Sequence, residues 1–160
     1  KVVIVNPGVI FGSTIWKTSS GTFFTKVKNN FPFYTYGTTG YVGVFDVVKI
    51  MVLLMKSDSN GERFSLISEN LSFKEIIHLI AGKMNAKKPT FEIKPWMTSI
   101  IWRVDWFFST VFKTRRNLSK NASKTIHSKE FISNAKIKNA LNYNFQSIVE
   151  VVEIVLSKNQ

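Results

Sequence analysis

The chain opens on Val2-Val3-Ile4-Val5, four β-branched residues without a polar interruption. Such a run predicts a strand buried on both faces, as in the middle of a parallel sheet covered by helices. A strand of that kind needs neighbours, and the expectation is that other residues complete its sheet. Asn6-Pro7-Gly8-Val9-Ile10-Phe11-Gly12 follows, where Pro7 removes a backbone donor and Gly8 and Gly12 permit tight turns at the strand's carboxyl end. Ligands of open α/β sheets bind at such ends. Ser19-Ser20-Gly21-Thr22 then precedes a helical stretch carrying Phe23, Phe24 and Val27, a composition that suits an N-cap or an anion. Residues 33–36 and 41–45 predict short extended segments joined by Gly37-Thr38-Thr39-Gly40, either as a hairpin or as a strand followed by a loop.

Asp46 stands where extended chain gives way to the run 47–55, and is expected to cap that helix. The run is apolar nearly all round, which predicts burial against more than one layer of protein. Residues 57–61 predict a turn and 63–67 another strand. Ser72-Phe73-Lys74-Glu75 has the form of a capping box, and Phe73, Ile76, Ile77, Ile80 and Met84 continue it at helical spacing. His78 falls among these apolar positions and is expected at a surface or core edge, not in catalysis. Residues 91–93 predict a short strand, and Pro95 suits the first turn of the next helix.

That helix, 96–112, is crowded with Trp96, Trp102, Trp106, Phe107, Phe108 and Phe112 and also carries Arg103 and Asp105, which makes it too polar to span a bilayer. Packing against protein is its first expected role, then a share in an apolar substrate pocket, then membrane-surface contact. Basic residues follow: Lys113, Arg115, Arg116, Lys120, Lys124, Lys129, Lys136 and Lys138 against the single acid Glu130. Ser133 is placed to cap a helix with Ile137, Ala140 and Leu141, and Ser147-Ile148-Val149-Glu150 is a second capping box before an apolar C-terminal helix.

Composition narrows the partners. The 160 residues are 44% hydrophobic, which argues for a folded chain. A net charge of +12 brings phosphates, anionic lipid and nucleic acid into consideration without choosing among them. The absence of cysteine removes disulfides, thiolate metal sites and a cysteine nucleophile, so a cytoplasmic setting is expected. Two histidines far apart, His78 and His127, argue against a multi-histidine site, so no transition metal is expected, while carboxylate ligands stay open.

The succession of Val2 to Gly12, Gly40-Tyr41-Val42-Gly43-Val44-Phe45-Asp46, Gly61-Glu62-Arg63-Phe64 leading to Ser72-Phe73-Lys74-Glu75, and Ser133-Asn134-Ala135-Lys136-Ile137 resembles the C-terminal half of an extended short-chain dehydrogenase/reductase. That family includes nucleotide-sugar epimerases, dehydratases and dihydroflavonol-reductase-like enzymes. The resemblance implies an α/β fold, the C-terminal part of a Rossmann-type parallel sheet plus a mainly helical substrate-binding lobe. Residues 1–60 would hold the end of the nucleotide-binding sheet and the start of the lobe, and 61–160 the rest of the lobe, with the N-terminal cofactor-binding half absent. It implies NAD or NADP in the complete protein, with Pro7, Gly8, Val9, Ser19 and Ser20 at the cofactor and Asn6, Thr22, Trp102 and Trp106 toward a small-molecule substrate. The family's glycine-rich turn and its Tyr-x-x-x-Lys pair are missing, since none of Tyr34, Tyr36, Tyr41 and Tyr143 has a lysine four residues on. No catalytic residue is therefore assigned, and the expected function is the substrate-binding portion of an NAD(P)-dependent oxidoreductase or epimerase, inactive alone and partnered by the missing half. A homodimer is left open, and neither nucleic acid nor a membrane is expected as partner. The alternative is a peripheral membrane or lipid-binding protein that uses the aromatic helix and the basic residues after it.

Overall fold

The computed structural model describes residues 1–12, 19–111 and 120–158, apart from the side chains of Ser19, Phe108 and Val111. Phe112, Lys113, Arg115 and Arg116, which the sequence places at the end of the aromatic helix and in the basic stretch, lie outside the described residues.

Strands β1 (Val3–Pro7) and β2 (Val9–Phe11) are separated only by Gly8, followed by a 3-10 turn at Ser19–Gly21 and helix α1 (Thr22–Lys28). Then come β3 (Phe33–Tyr34), β4 (Thr38–Gly43), α2 (Val44–Lys56), β5 (Glu62–Leu66), β6 (Glu69–Ser72) and α3 (Phe73–Lys83). The chain ends with β7 (Phe91–Glu92), α4 (Pro95–Val111), α5 (Lys120–Thr125), α6 (Ala135–Leu141) and α7 (Ile148–Ser157). β1 runs parallel to β5, β2 parallel to β4 and β3 parallel to β7, while β6 lies antiparallel on the other edge of β4. The expected α/β architecture is what the chain adopts.

β4 is the strand buried on both faces. Successive side chains of a strand point to opposite sides, so Tyr41 enters a core with Phe11, Phe24, Ile76, Ile80 and Val152. Its neighbour Val42 enters a second core with Ile50, Leu54, Phe64, Leu66 and Ile137. The opening strand does not have this character: Val3 and Val5 are half-buried, Ile4 is exposed, and β5 is its one partner among the described residues. Its all-apolar sequence reflects a strand with one edge and one face still open.

In α2, Asp46, Val47, Ile50 and Leu54 form the buried face and Val48, Met51, Val52 and Met55 on the other side are exposed, so one layer covers it among the described residues. Asp46 does not cap. Gly43 occupies the N-cap position, and the Asp46 carboxylate, in the first turn, accepts from the Tyr143 hydroxyl at 2.7 Å and the Gln146 amide at 3.1 Å. It ties the start of α2 to the loop between α6 and α7.

Both capping boxes form, Ser72 with Glu75 at α3 and Ser147 with Glu150 at α7. At α6 Asn134 takes the N-cap position, with its side-chain amide donating to the Ile67 carbonyl at 2.7 Å, and the Ser133 hydroxyl accepts from the Ala135 amide, the first of the helix, at 3.3 Å. Asn70 makes a two-way pair with the Ile132 backbone at 3.0 and 3.1 Å. The segment after α5 is thereby pinned along β6, and Thr38 bonds it again through Ser128 and Glu130.

Candidate functional site

The crevice begins where the chain changes strand partner. The Gly8 amide donates to the Leu66 carbonyl at 3.2 Å, the last link to β5, and Val9 then aligns with Tyr41 on β4. A Cβ at Gly8 would stand 2.2 Å from the Gly40 carbonyl oxygen, and one at Gly40 would stand 2.4 Å from Ile67 Cδ1. At Gly8 glycine allows close backbone approach, and at Gly40 it makes room for the Ile67 side chain. The turn expected at Gly8 is absent: among the described glycines only Gly61 has positive φ.

A cavity of about 420 Å³ opens at this switch, lined by Gly8, Val9, Ile10, Ser20, Phe23 and Phe73. Such a change of strand partner at the carboxyl end of parallel strands is where open α/β sheets hold ligands. The Ser20 hydroxyl donates to the Ile10 carbonyl and holds the 3-10 turn against β2. It does not cap α1, whose N-cap is Gly21 without a side-chain bond.

Phe23 and Phe73 stack at 6.0 Å with 10° between their planes. They form a wall common to this cavity and a second one of about 230 Å³, whose lining includes Thr22, Lys26, Phe31, Tyr34 and Ile77. Helical spacing produces that lining: Thr22, Phe23, Lys26 and Val27 come from one side of α1, Phe73 and Ile77 from one side of α3. At the rim the Lys26 ammonium lies 5.1 Å from the Phe31 ring centroid. Beside it Lys74 donates to the Tyr36 hydroxyl at 3.1 Å and sits 4.9 and 5.0 Å from the Tyr34 and Tyr36 ring centroids. The bond from Lys74 holds the Tyr36 phenol below its ordinary range, while the bond with Tyr36 pushes Tyr34 up. This cluster joins residues 38 positions apart, a separation that leaves no local motif to read.

The expected site residues divide. Gly8, Val9 and Ser20 meet at the first cavity, and Thr22 lines the second. Asn6 and Pro7 are exposed on β1, next to that crevice but outside its described lining. The side chain of Ser19 lies outside the described residues. Trp102 and Trp106 are on α4, and the described lining of neither cavity includes them. Phe23 and Phe73 are the residues the sequence reading missed; as apolar positions on amphipathic helices they look like core.

None of the first cavity's described lining residues titrates, so this part of the site is built to bind, with no group to move a proton. His78 bonds the Pro89 carbonyl at 3.0 Å, a core-edge role as expected. No cluster of potential metal ligands occurs among the described residues.

No family model matches the sequence, and no curated protein does. Solved structures do match. The structure of gox2253 has a TM-score of 0.77 at 20% identity, over 98% of this chain and 48% of its own. PA4631, a nucleoside-diphosphate-sugar epimerase from Pseudomonas aeruginosa, has a TM-score of 0.74 at 14% identity, over 98% of this chain and 47% of its own. The Bordetella bronchiseptica enzyme WbmG, solved with NAD and UDP, has a TM-score of 0.64 at 12% identity, over 98% of this chain and 42% of its own. The chain has the fold of these proteins and spans about half their length or less.

Proposed function

We propose that this chain is the substrate-binding, C-terminal portion of an NAD(P)-dependent oxidoreductase or epimerase acting on a hydroxyl or ketone, and is inactive alone. The observation that carries the proposal is the crevice at Gly8, which shares its Phe23 and Phe73 wall with an aromatic cavity, in a fold shared with a nucleoside-diphosphate-sugar epimerase. WbmG, with NAD and UDP bound, supports the cofactor class.

The residues present fit one end of a dinucleotide. Gly8 and Val9 would meet it with backbone, Pro7 and the Ser19-Ser20 turn would flank it, and the cofactor when bound supplies hydride exchange. Asn6 and Thr22 would face the substrate, with Trp102 and Trp106 behind the lobe. The second cavity, aromatic and aliphatic with one lysine at its rim, favours a substrate with an apolar body. The proton-transfer group and the rest of the dinucleotide site would come from a nucleotide-binding half. Its place would be the open edge of β1 and the cavity of about 330 Å³ between β1 and α2, lined by Val3, Val5, Met51, Leu54 and Met55.

The test is hydride transfer, followed by nicotinamide absorbance with a panel of apolar and sugar-linked alcohols and ketones. It is run on the longest product of the gene and on this 160-residue chain. Turnover is expected from a longer product carrying a glycine-rich turn and none from the chain alone. Turnover by the chain alone, or a longest product with neither cofactor binding nor turnover, overturns the proposal.

A further inference from the structure

Helix α4 is built inside out. Its inward stripe is polar at three of four positions: Thr98, only 2% exposed, then half-buried Trp102, Asp105 and Ser109. The stripe diametrically opposite is apolar, with Trp96 62% exposed, Ile100 53%, Val104 47% and Phe107 58%. A helix in water normally shows the reverse arrangement. Thr98 explains part of the inward face: its hydroxyl donates to the Pro95 carbonyl at 2.9 Å and lies 3.0 Å from His127 Nε2, a buried polar joint between α4 and the segment after α5.

A cation borders the outward stripe. Arg103 lies beside Ile100 and Phe107 on the same helix, with its guanidinium 4.9 Å from the Trp102 ring and bonded to the Ser99 carbonyl at 2.7 Å. Lys94 is exposed just before the helix begins, and Lys120 approaches the Trp102 ring of the inward stripe at 5.9 Å. Exposed tryptophan, branched aliphatics and flanking cations are the chemistry of a helix lying in a membrane interface, its rings at the headgroup level and its cations on anionic lipid. No described helix is long and apolar enough to span a bilayer. We infer that α4 docks this protein flat on an anionic lipid surface through Trp96, Ile100 and Val104, with Arg103 supplying the charge contact. This inference is independent of the hydride-transfer proposal.

The test is co-sedimentation of the full chain with phosphatidylcholine vesicles, with and without phosphatidylserine, together with quenching of tryptophan emission by brominated lipid. Binding to the serine-containing vesicles with quenching is expected, and it should weaken as salt rises. The pair Ile100→Ser and Val104→Ser, both facing outward, should lower partitioning on the order of tenfold. Arg103→Gln should bring binding toward the level on pure phosphatidylcholine. Circular dichroism checks that the variants fold, and quenching in the unmodified chain stands without them. Failure to bind either vesicle overturns the inference. So does binding that the serine pair leaves unchanged, or a dimer without lipid affinity that the serine pair dissociates, since a second copy would then cover the stripe.

Discussion

Replacing Asp46 by alanine tests how the start of α2 is joined to the loop before α7. The carboxylate is 0% exposed and accepts from the Tyr143 hydroxyl at 2.7 Å and the Gln146 amide at 3.1 Å. Burial, and then that bond, pushes the Tyr143 phenol above its ordinary range, so the hydroxyl stays a donor. A hydrogen bond to a charged group contributes about 1.5–3 kcal/mol, and a buried donor left without a partner costs about 1–3 kcal/mol. Loss of the carboxylate removes both bonds and strands two donors, part of which water will serve. Asp46→Ala should therefore destabilise by about 3–5 kcal/mol, a large share of the roughly 5–15 kcal/mol of an ordinary domain. Tyr143→Phe removes one donor and should cost about 1.5–3 kcal/mol. The double variant should cost less than the sum of the singles by about 1–2 kcal/mol, since the bond can be lost only once. Urea unfolding followed by circular dichroism measures all three. Amide exchange at Gln146 adds a local readout: its protection should fall in Asp46→Ala and persist in Tyr143→Phe. A loss below about 1 kcal/mol for Asp46→Ala, or additive singles, would refute the argument that this carboxylate is the joint.

Tyr41 is 0% exposed and its hydroxyl has no hydrogen-bond partner among the described residues, so Tyr41→Phe removes a desolvation cost of about 1–3 kcal/mol while keeping the stack on Phe11 at 5.4 Å. The variant should be as stable or more stable, with a melting point raised by about 2–4 °C per kcal/mol gained; a loss above about 1 kcal/mol would show that the hydroxyl is bonded. Gly8→Ala places a methyl group 2.2 Å from the Gly40 carbonyl oxygen, a backbone atom that cannot swing aside. It should cost about 1–3 kcal/mol in urea unfolding, and an unchanged midpoint would mean that the strands part freely at the switch. Burial lowers the His127 pKa below its ordinary 6.5, so between the two values the unfolded chain binds more protons than the folded one. The contribution of His127 is whole above 6.5 and is lost as pH falls through the lower folded value. The urea midpoint should drop between about pH 7.5 and about pH 5.5, less so in His127→Gln, and equal drops in the two proteins would assign the effect elsewhere.

Local signals were legible where the physics is local. The boxes Ser72/Glu75 and Ser147/Glu150 form because both partners lie within one helical turn. Pro95 starts α4 for the same kind of reason. What the sequence did not disclose is long-range. Asp46 finds its partners about 100 residues away, and a capping role was the nearest local explanation for a carboxylate at a helix start. Helices α1, α3 and α6 are followed by asparagines with positive φ, Asn30 at 53°, Asn85 at 51° and Asn142 at 46°, a subtler stop than glycine. At the first cavity, Gly8 and Val9 belong to the strand-end motif and Ser20 to the later serine turn, whereas Phe23 and Phe73 needed the tertiary fold to bring α1 and α3 together.

The two uncovered apolar faces show why periodicity alone identifies a buried stripe without identifying what buries it. On β1 and α2 the apolar side chains accompany a strand with one edge unpaired among the described residues, whose row of backbone donors and acceptors is a template for another strand. On α4 the backbone is already satisfied within the helix, and the outward residues are a tryptophan, branched aliphatics and a bordering arginine. A lipid interface accepts such a surface without supplying any backbone partner, and a sheet edge laid on lipid would leave its polar groups unpaired. The same hydrophobic pattern thus points to protein in one place and to a bilayer surface in the other, and the state of the backbone beneath it decides between them.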